Sequence, residues 1–290
     1  MTVRLQLEGV SYRYTGIGAS DRPVLSDISL DISGGCTALI GPSGSGKTTL
    51  IQHFTGLLRP ASGTVRADSA DIWRKGFDQT RLRQRIGLVF QFPESQLFEE
   101  SVARDIAFGP LNLGWPPQRV EAAVEHAMRQ VELEPARFRD RSPFQLSEGE
   151  KRRAAIAGVL AMEPEMLVLD EPTAGLDPRG VRSVEEMIAR LLASGTAVVI
   201  ITHHMDFVNN LAERVLVMIA GRIAFDGPPE RLFADPALLA AASLEMPRFL
   251  EEKQKRGANW PAALREVTNL RTLRAIVRKG NNRLESGHSG

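Results

Sequence analysis

The 290-residue chain carries 36 Lys and Arg against 35 Asp and Glu, a formal net charge of +1, with 43% hydrophobic and 24% charged residues. That balance is ordinary for a globular protein of one large domain or two modest ones, and it lacks the basic excess expected of a nucleic-acid-wrapping protein. The lone cysteine, Cys36, excludes an intramolecular disulfide, fits a reducing compartment and reads as a small buried hydrophobe.

Residues 1–8 lack the continuous apolar stretch of a secretion signal. No apolar run approaches the roughly 20 residues of a membrane-spanning helix. Any work at a membrane is therefore expected to depend on other chains.

Leu5, Leu7, Val10, Tyr12 and Tyr14, then Leu25, Ile28, Leu30 and Ile32, recur with period two and predict half-buried antiparallel strands. Ser33-Gly-Gly35 predicts a turn. The apolar runs 36–40, 166–169, 197–201 and 215–219 predict strands buried on both faces. A helix is predicted over 181–193, and strands alternating with helices indicate a mainly parallel sheet covered by helices. In the middle, 116–130 has helical periodicity with Val120, Val124 and Ala127 on one face, and 150–162 is a second helix. Residues 92–163 therefore read as a helical subdomain inserted between core strands. After Leu244 the chain turns basic, and Leu264, Val267, Leu270, Leu273 and Ile276 recur at near-helical spacing. The last ten residues have the composition of a disordered tail.

Gly41-Pro-Ser-Gly-Ser-Gly-Lys-Thr-Thr49 follows a predicted strand and opens a helix, the context of a Walker A phosphate loop. Gly41, Gly44 and Gly46 allow backbone conformations that bring N–H groups close to phosphates, with Pro42, Ser43 and Ser45 between them. Lys47 offers a point charge to the β- and γ-phosphates of ATP. The Thr48 hydroxyl is a ligand for Mg²⁺, and Thr49 continues into the helix. The rival reading is a glycine-rich turn with a chance lysine. At the end of strand 166–169, Asp170 is placed to reach the Mg²⁺ through water and Glu171 to polarise the attacking water; alone the two would also read as a capping pair.

Leu146-Ser-Glu-Gly-Glu150, before a helix and about two dozen residues ahead of Asp170, resembles the signature loop of the ABC ATPase family, Leu-Ser-Gly-Gly-Gln. Ser147 and Gly149 match it, whereas Glu148 and Glu150 depart from it and place carboxylates near a triphosphate. In the family this loop binds the γ-phosphate of a nucleotide held by a partner subunit. The resemblance extends to Gln91, which implies a Mg²⁺ contact and a link to the helical subdomain. It extends to Asp177 in Gly175-Leu-Asp177, which implies an interface-crossing loop, and to His203, which implies a γ-phosphate sensor. Tyr14 sits where the family stacks an aromatic ring on adenine, with Tyr12 as the alternative. His204 is given no role and is expected to face solvent.

The runs from Val89 to Phe98, 107–114 and 154–165 resemble the energy-coupling factor ATPases. The resemblance implies an α/β fold, a P-loop NTPase (RecA-like) core with an antiparallel β subdomain and an inserted α-helical subdomain. The ATP-binding domain would span 1–243 and a C-terminal extension 244–290. The implied function is an ATPase that energises uptake of a vitamin or transition-metal ion. Implied partners are a second ATPase (a like copy or a sister chain), a transmembrane coupling protein and a substrate-binding membrane protein, with no nucleic acid, at the cytoplasmic face of the cell membrane. The surface from Phe92 to Leu113 would meet the coupling protein. The extension would help pair the ATPases; a solvated helix or a contact with anionic lipid are its rivals. Glu171 and His203 would be the catalytic pair. Alternatives from other classes are a soluble non-transport ABC ATPase, a P-loop kinase, and a weakly active ATP clamp within a heterodimer.

Overall fold

The structure is a computed structural model and describes residues 2–15 and 22–259, with 261 and 269 beyond them. Strands β1 (Leu5–Tyr12), β2 (Leu25–Ile32) and β3 (Cys36–Ile40) lead to helix α1 (Lys47–Phe54), then β4 (Ser62–Ala67) and β5 (Ala70–Asp71). β1 lies antiparallel between β2 and β4 in a sheet of order β2-β1-β4-β5. Leu5, Leu7 and Val10 are buried, and the register slips between Leu7 and Val10, where Gly9 adopts φ +61°. The period-two pattern thus holds either side of a bulge. It does not extend to Tyr14, because β1 ends at Tyr12.

Helix α2 (Gln79–Arg85) and strand β6 (Ile86–Val89) follow; the chain then leaves the sheet for α3 (Val102–Asn112), α4 (Pro117–Gln130), α5 (Pro135–Phe138) and α6 (Glu148–Leu160). It returns in β7 (Met166–Asp170), α7 (Pro178–Ala193), β8 (Ala197–Ile201), α8 (Met205–Leu211), β9 (Arg214–Ile219) and β10 (Arg222–Gly227). The second sheet has the order β10-β9-β3-β8-β7-β6 and is parallel except for β10.

Every residue of β3, β7 and β8 is buried because the sheet is covered on both faces. Leu167, Leu169, Val198 and Ile200 pack toward the inserted helices and α7, whereas Met166, Val168, Val199 and Ile201 pack toward α1 and the antiparallel sheet. On α4, Val120, Val124 and Ala127 are buried as their spacing predicts. Two differences from the sequence reading stand out. α3 lies inside the helical subdomain predicted over 92–163 but is not predicted as a helix of its own: its buried residues are Val102, Ile106 and Pro110, after a Ser101 cap, with Gly109-Pro110 inside it. α6 begins at Glu148 rather than Glu150, because Ser147 caps it and draws the signature residues into its first turn.

The chain ends its described part in α9 (Pro229–Phe233), α10 (Pro236–Ala241) and α11 (Arg248–Arg256). Leu244, Met246 and Leu250 pack against the cluster formed by β3, β9, α8 and α9, and Phe249 is buried. Residues 244–250 are therefore seated on the core. The apolar repeat from Leu264 to Ile276 and the final ten residues lie outside the described residues. Among the described residues no helix is long and apolar enough to cross a membrane.

Candidate active site

The phosphate loop spans the exit of β3 and the start of α1. Gly41 has φ +141°, and a Cβ there would lie 2.1 Å from the Met218 carbonyl oxygen, so both conformation and space demand glycine. Gly44, at φ +75°, differs: a Cβ on it would meet nothing within 4 Å and would project into open space at the mouth of the loop. Lys47 is buried, and its Nζ donates to the carbonyls of Gly41 and Pro42, both at 2.8 Å. Burial pushes its pKa down, opposed by the nearby Glu171 and Asp170. Ser45 Oγ is buried without a hydrogen-bond partner. An open glycine mouth, an inward ammonium and an orphaned hydroxyl make a cradle fitted to a polyphosphate.

β7 delivers the acids to the same place. Thr48 Oγ1 donates to Asp170 Oδ2 at 2.9 Å across 122 residues of sequence. Burial raises the Asp170 carboxyl, partly opposed by that hydrogen bond and by Lys47. Glu171 adopts φ +50°, a left-handed conformation unusual for a residue with a side chain, and its N–H donates to the Ile201 carbonyl at 2.9 Å. Its Oε1 lies 3.3 Å from His203 Nε2 but lacks a well-aligned hydrogen bond. Burial lifts the Glu171 carboxyl to about 7, with a further push from Asp170. Burial lowers the His203 imidazole, so near neutrality the pair is not a firm ion pair. One hydroxyl and one carboxylate side by side, with phosphate oxygens to complete the shell, are the donor set Mg²⁺ favours.

The structure thus gathers Lys47, Thr48, Asp170, Glu171 and His203. Tyr14 joins them at the edge: its hydroxyl is 3.1 Å from Thr49 Oγ1, and its ring is half exposed and edge-on to Tyr12. Tyr12 instead packs inward against His53. Gln91 is exposed just before Phe92, whose φ is +56°. Ser147, Gly149 and Asp177 are not drawn to the phosphate loop. Among the described residues Ser147 bonds within its own turn, and Asp177 caps α7 by accepting from Gly180 N at 2.7 Å. Glu148 points out to Lys151 at 2.8 Å, whereas Glu150 folds back onto Ser147. His204 is exposed as expected but also caps α8, accepting from Phe207 N at 3.2 Å.

Sequence reasoning missed Arg152. Its side chain is buried beneath the signature turn and contacts Glu94, Pro172 and Ala174. An extra arginine beside Arg153 reads as a solvated charge, so only the fold reveals it.

The chain matches the ABC transporter family over residues 25–174. It is 48% identical over 241 residues to the energy-coupling factor transporter ATP-binding protein EcfA2 of Symbiobacterium thermophilum, with 83% of each chain covered. To the protein of the same name from Lactiplantibacillus plantarum it is 47% identical, covering 87% of this chain and 88% of the relative. Among solved structures it resembles cbiO1 of Clostridium perfringens, described as part of the ABC transporter complex cbiONQ, with a TM-score of 0.73 and 36% identity over 88% of this chain and all of that one. It also resembles a dimeric ATP-binding cassette in a post-hydrolysis state bound to ADP and Pi, with a TM-score of 0.68 and 26% identity over 78% of this chain and 98% of that one.

Proposed function

Because this chain belongs to the ABC transporter family of ATP-binding subunits, we propose that it is the ATP-hydrolysing motor of a transporter of the energy-coupling factor kind. The observation that carries this reading is the meeting of Thr48 and Asp170 at 2.9 Å beside Lys47 and Glu171.

The residues divide the work. Backbone N–H groups of 41–46 and the start of α1 hold phosphate oxygens, and Lys47 exchanges its bonds to the Gly41 and Pro42 carbonyls for them. Thr48 and Asp170, with Gln91, would hold Mg²⁺, which supplies neutralisation of phosphate charge when bound. Glu171 accepts a hydrogen bond from the attacking water, and His203, 3.3 Å from that carboxylate, senses the γ-phosphate. Tyr14 offers its exposed ring to the adenine. Ser147, Gly149 and Asp177, remote from this chain's own phosphate loop, would complete the site of a second ATPase, a like copy or a sister chain. The chemistry is positioning and charge stabilisation.

The membrane partners are a transmembrane coupling protein and, held by it, a substrate-binding protein for a vitamin or a transition-metal ion, with this chain peripheral at the cytoplasmic face. A groove of about 470 Å³ between α2, α3 and α6 supports the docking. Phe98 and Phe108 meet edge to face at 5.0 Å on its rim, both about half exposed, beside exposed Leu111. Such an apolar rim fits an inserted partner segment.

A second reading, an ATP clamp with low turnover in a heterodimer, is favoured by one observation: Glu150 occupies the Ser147 donors meant for the partner's phosphate. Titrating ATP into the wild type and Lys47→Ala tests the primary reading at its first step. Binding in the wild type and its loss in the variant support it; equal binding contradicts it.

A further inference from the structure

Arg152, on the first turns of α6, is only 8% exposed at its side chain, and its ion-pair partner Glu94 is 13% exposed. A charge so placed is costly unless it is paired and hydrogen-bonded, and here each of the three guanidinium nitrogens donates to an acceptor. Nε and Nη2 grip the two Glu94 oxygens at 3.3 and 3.1 Å, while Nη1 donates to the carbonyls of Ala174 at 2.6 Å and Pro172 at 3.4 Å. Burial alone would raise the Glu94 carboxyl, but Arg152 holds it below the ordinary carboxylate value.

What these contacts join is specific. Glu94 lies three residues after Gln91 and two before the Gln96-Leu-Phe98 wall of the docking groove; α6 itself supplies Ala154 and Ala155 to that groove. Pro172 and Ala174 belong to the turn that Glu171 opens, closed by Ala174 N donating to the Glu171 carbonyl at 3.1 Å. One guanidinium on α6 therefore joins the segment that leads into the groove's Gln96-Leu-Phe98 wall to the strained backbone that aims Glu171. We propose that Arg152 is a positioning residue for hydrolysis, tying the partner-docking groove to the Glu171 turn so that seating of a partner sets the catalytic carboxylate. This rests on the assignment of Glu171 made above.

A lysine offers one point charge and cannot span a carboxylate and two carbonyls, and Glu94→Gln removes the charge while keeping the shape. The test uses the membrane complex captured by a tag on this chain, with ATPase kinetics for the wild type, Arg152→Lys, Glu94→Gln and Glu171→Gln. Because small displacements of a catalytic group are paid for in rate rather than in ground-state binding, both clamp variants should lose about tenfold in kcat with KM for ATP within about twofold. Wild-type kcat in both variants, or a rise in KM matching the fall in kcat, overturns the proposal. Should Arg152→Lys fail to assemble, Glu94→Gln alone decides by the same criterion. The underlying assignment fails separately: Glu171→Gln would then keep wild-type turnover, whatever the clamp variants do.

Discussion

Glu150 Oε2 lies 2.8 Å from both the backbone nitrogen and the hydroxyl of Ser147, so a carboxylate of this chain fills the two donors that the proposed function assigns to a partner's γ-phosphate. The contact is a capping box, and glutamine serves that box as well as glutamate does. Glu150→Gln should therefore keep α6 intact while removing one negative charge from the phosphate's approach. ATP-driven pairing with the second ATPase, followed by size-exclusion chromatography, should reach its midpoint at roughly fivefold lower ATP, about 1 kcal/mol. Glu148→Gln, at a 74% exposed side chain paired with Lys151, should change it by less than about 0.5 kcal/mol. Equal effects of the two substitutions would contradict a role for the Glu150 contact.

The glycines of the phosphate loop separate folding from binding. Gly44→Ala places its methyl in open space, so its φ of +75° should cost about 1 kcal/mol of stability while the methyl obstructs the cradle and weakens ATP binding at least about tenfold. Gly41→Ala drives a methyl into the Met218 carbonyl at 2.1 Å and should destabilise the fold by more than about 3 kcal/mol. Urea unfolding and ATP titration of both variants check this; intact binding in Gly44→Ala would show that phosphate does not sit at the mouth.

His53 gives the fold an acid sensitivity. It is fully buried on α1, with Nδ1 bonded to the Thr49 carbonyl at 2.8 Å and Nε2 without a partner. Burial lowers its pKa below the ordinary value, so the unfolded chain takes up the proton first. The stability it confers is present above about pH 6.5 and is lost as pH falls toward its lower folded value. The urea midpoint of the wild type should fall between pH 7.5 and 5.5 by more than that of His53→Phe. Parallel pH profiles would show that His53 does not titrate on unfolding.

Phe98 and Phe108 are exposed and bear on each other, so replacing both by Ala should leave thermal stability and ATP binding nearly unchanged. Recovery of membrane subunits with a tag on this chain should fall severalfold, because rim aromatics supply much of the contact area of such a groove. Undiminished recovery would place the docking face elsewhere.

The fully buried strands are legible because β3, β7 and β8 are predominantly apolar, broken only by Thr37 in β3 and the terminal Asp170 of β7, and the loop from Gly41 to Thr49 is legible because glycine spacing and a following helix constrain it tightly. α4 announced itself through Val120, Val124 and Ala127. α3 did not, since three buried positions and an internal Pro110 leave little periodicity. The signature turn reads as lying ahead of its helix because 146–150 is taken as a loop motif, although Ser147-x-x-Glu150 is also the local pattern of a capping box. Arg152 and His204 escaped for a shared reason: their partners, Glu94 and the post-Glu171 carbonyls in one case and a helix N–H in the other, exist only once the chain has folded. Tyr14 was placed by resemblance rather than by period, and its hydroxyl contact to Thr49 puts it beside the phosphate helix.

The most direct measurement is ATP turnover by the tagged complex carrying wild-type chain or Glu171→Gln, with bound nucleotide identified after quenching. Turnover in the wild type, with a fall of at least about a hundredfold and retained ATP in the variant, is the expected result. Equal turnover in the two would mean that Glu171, for all its burial between Asp170 and His203, is not the carboxylate that directs hydrolysis.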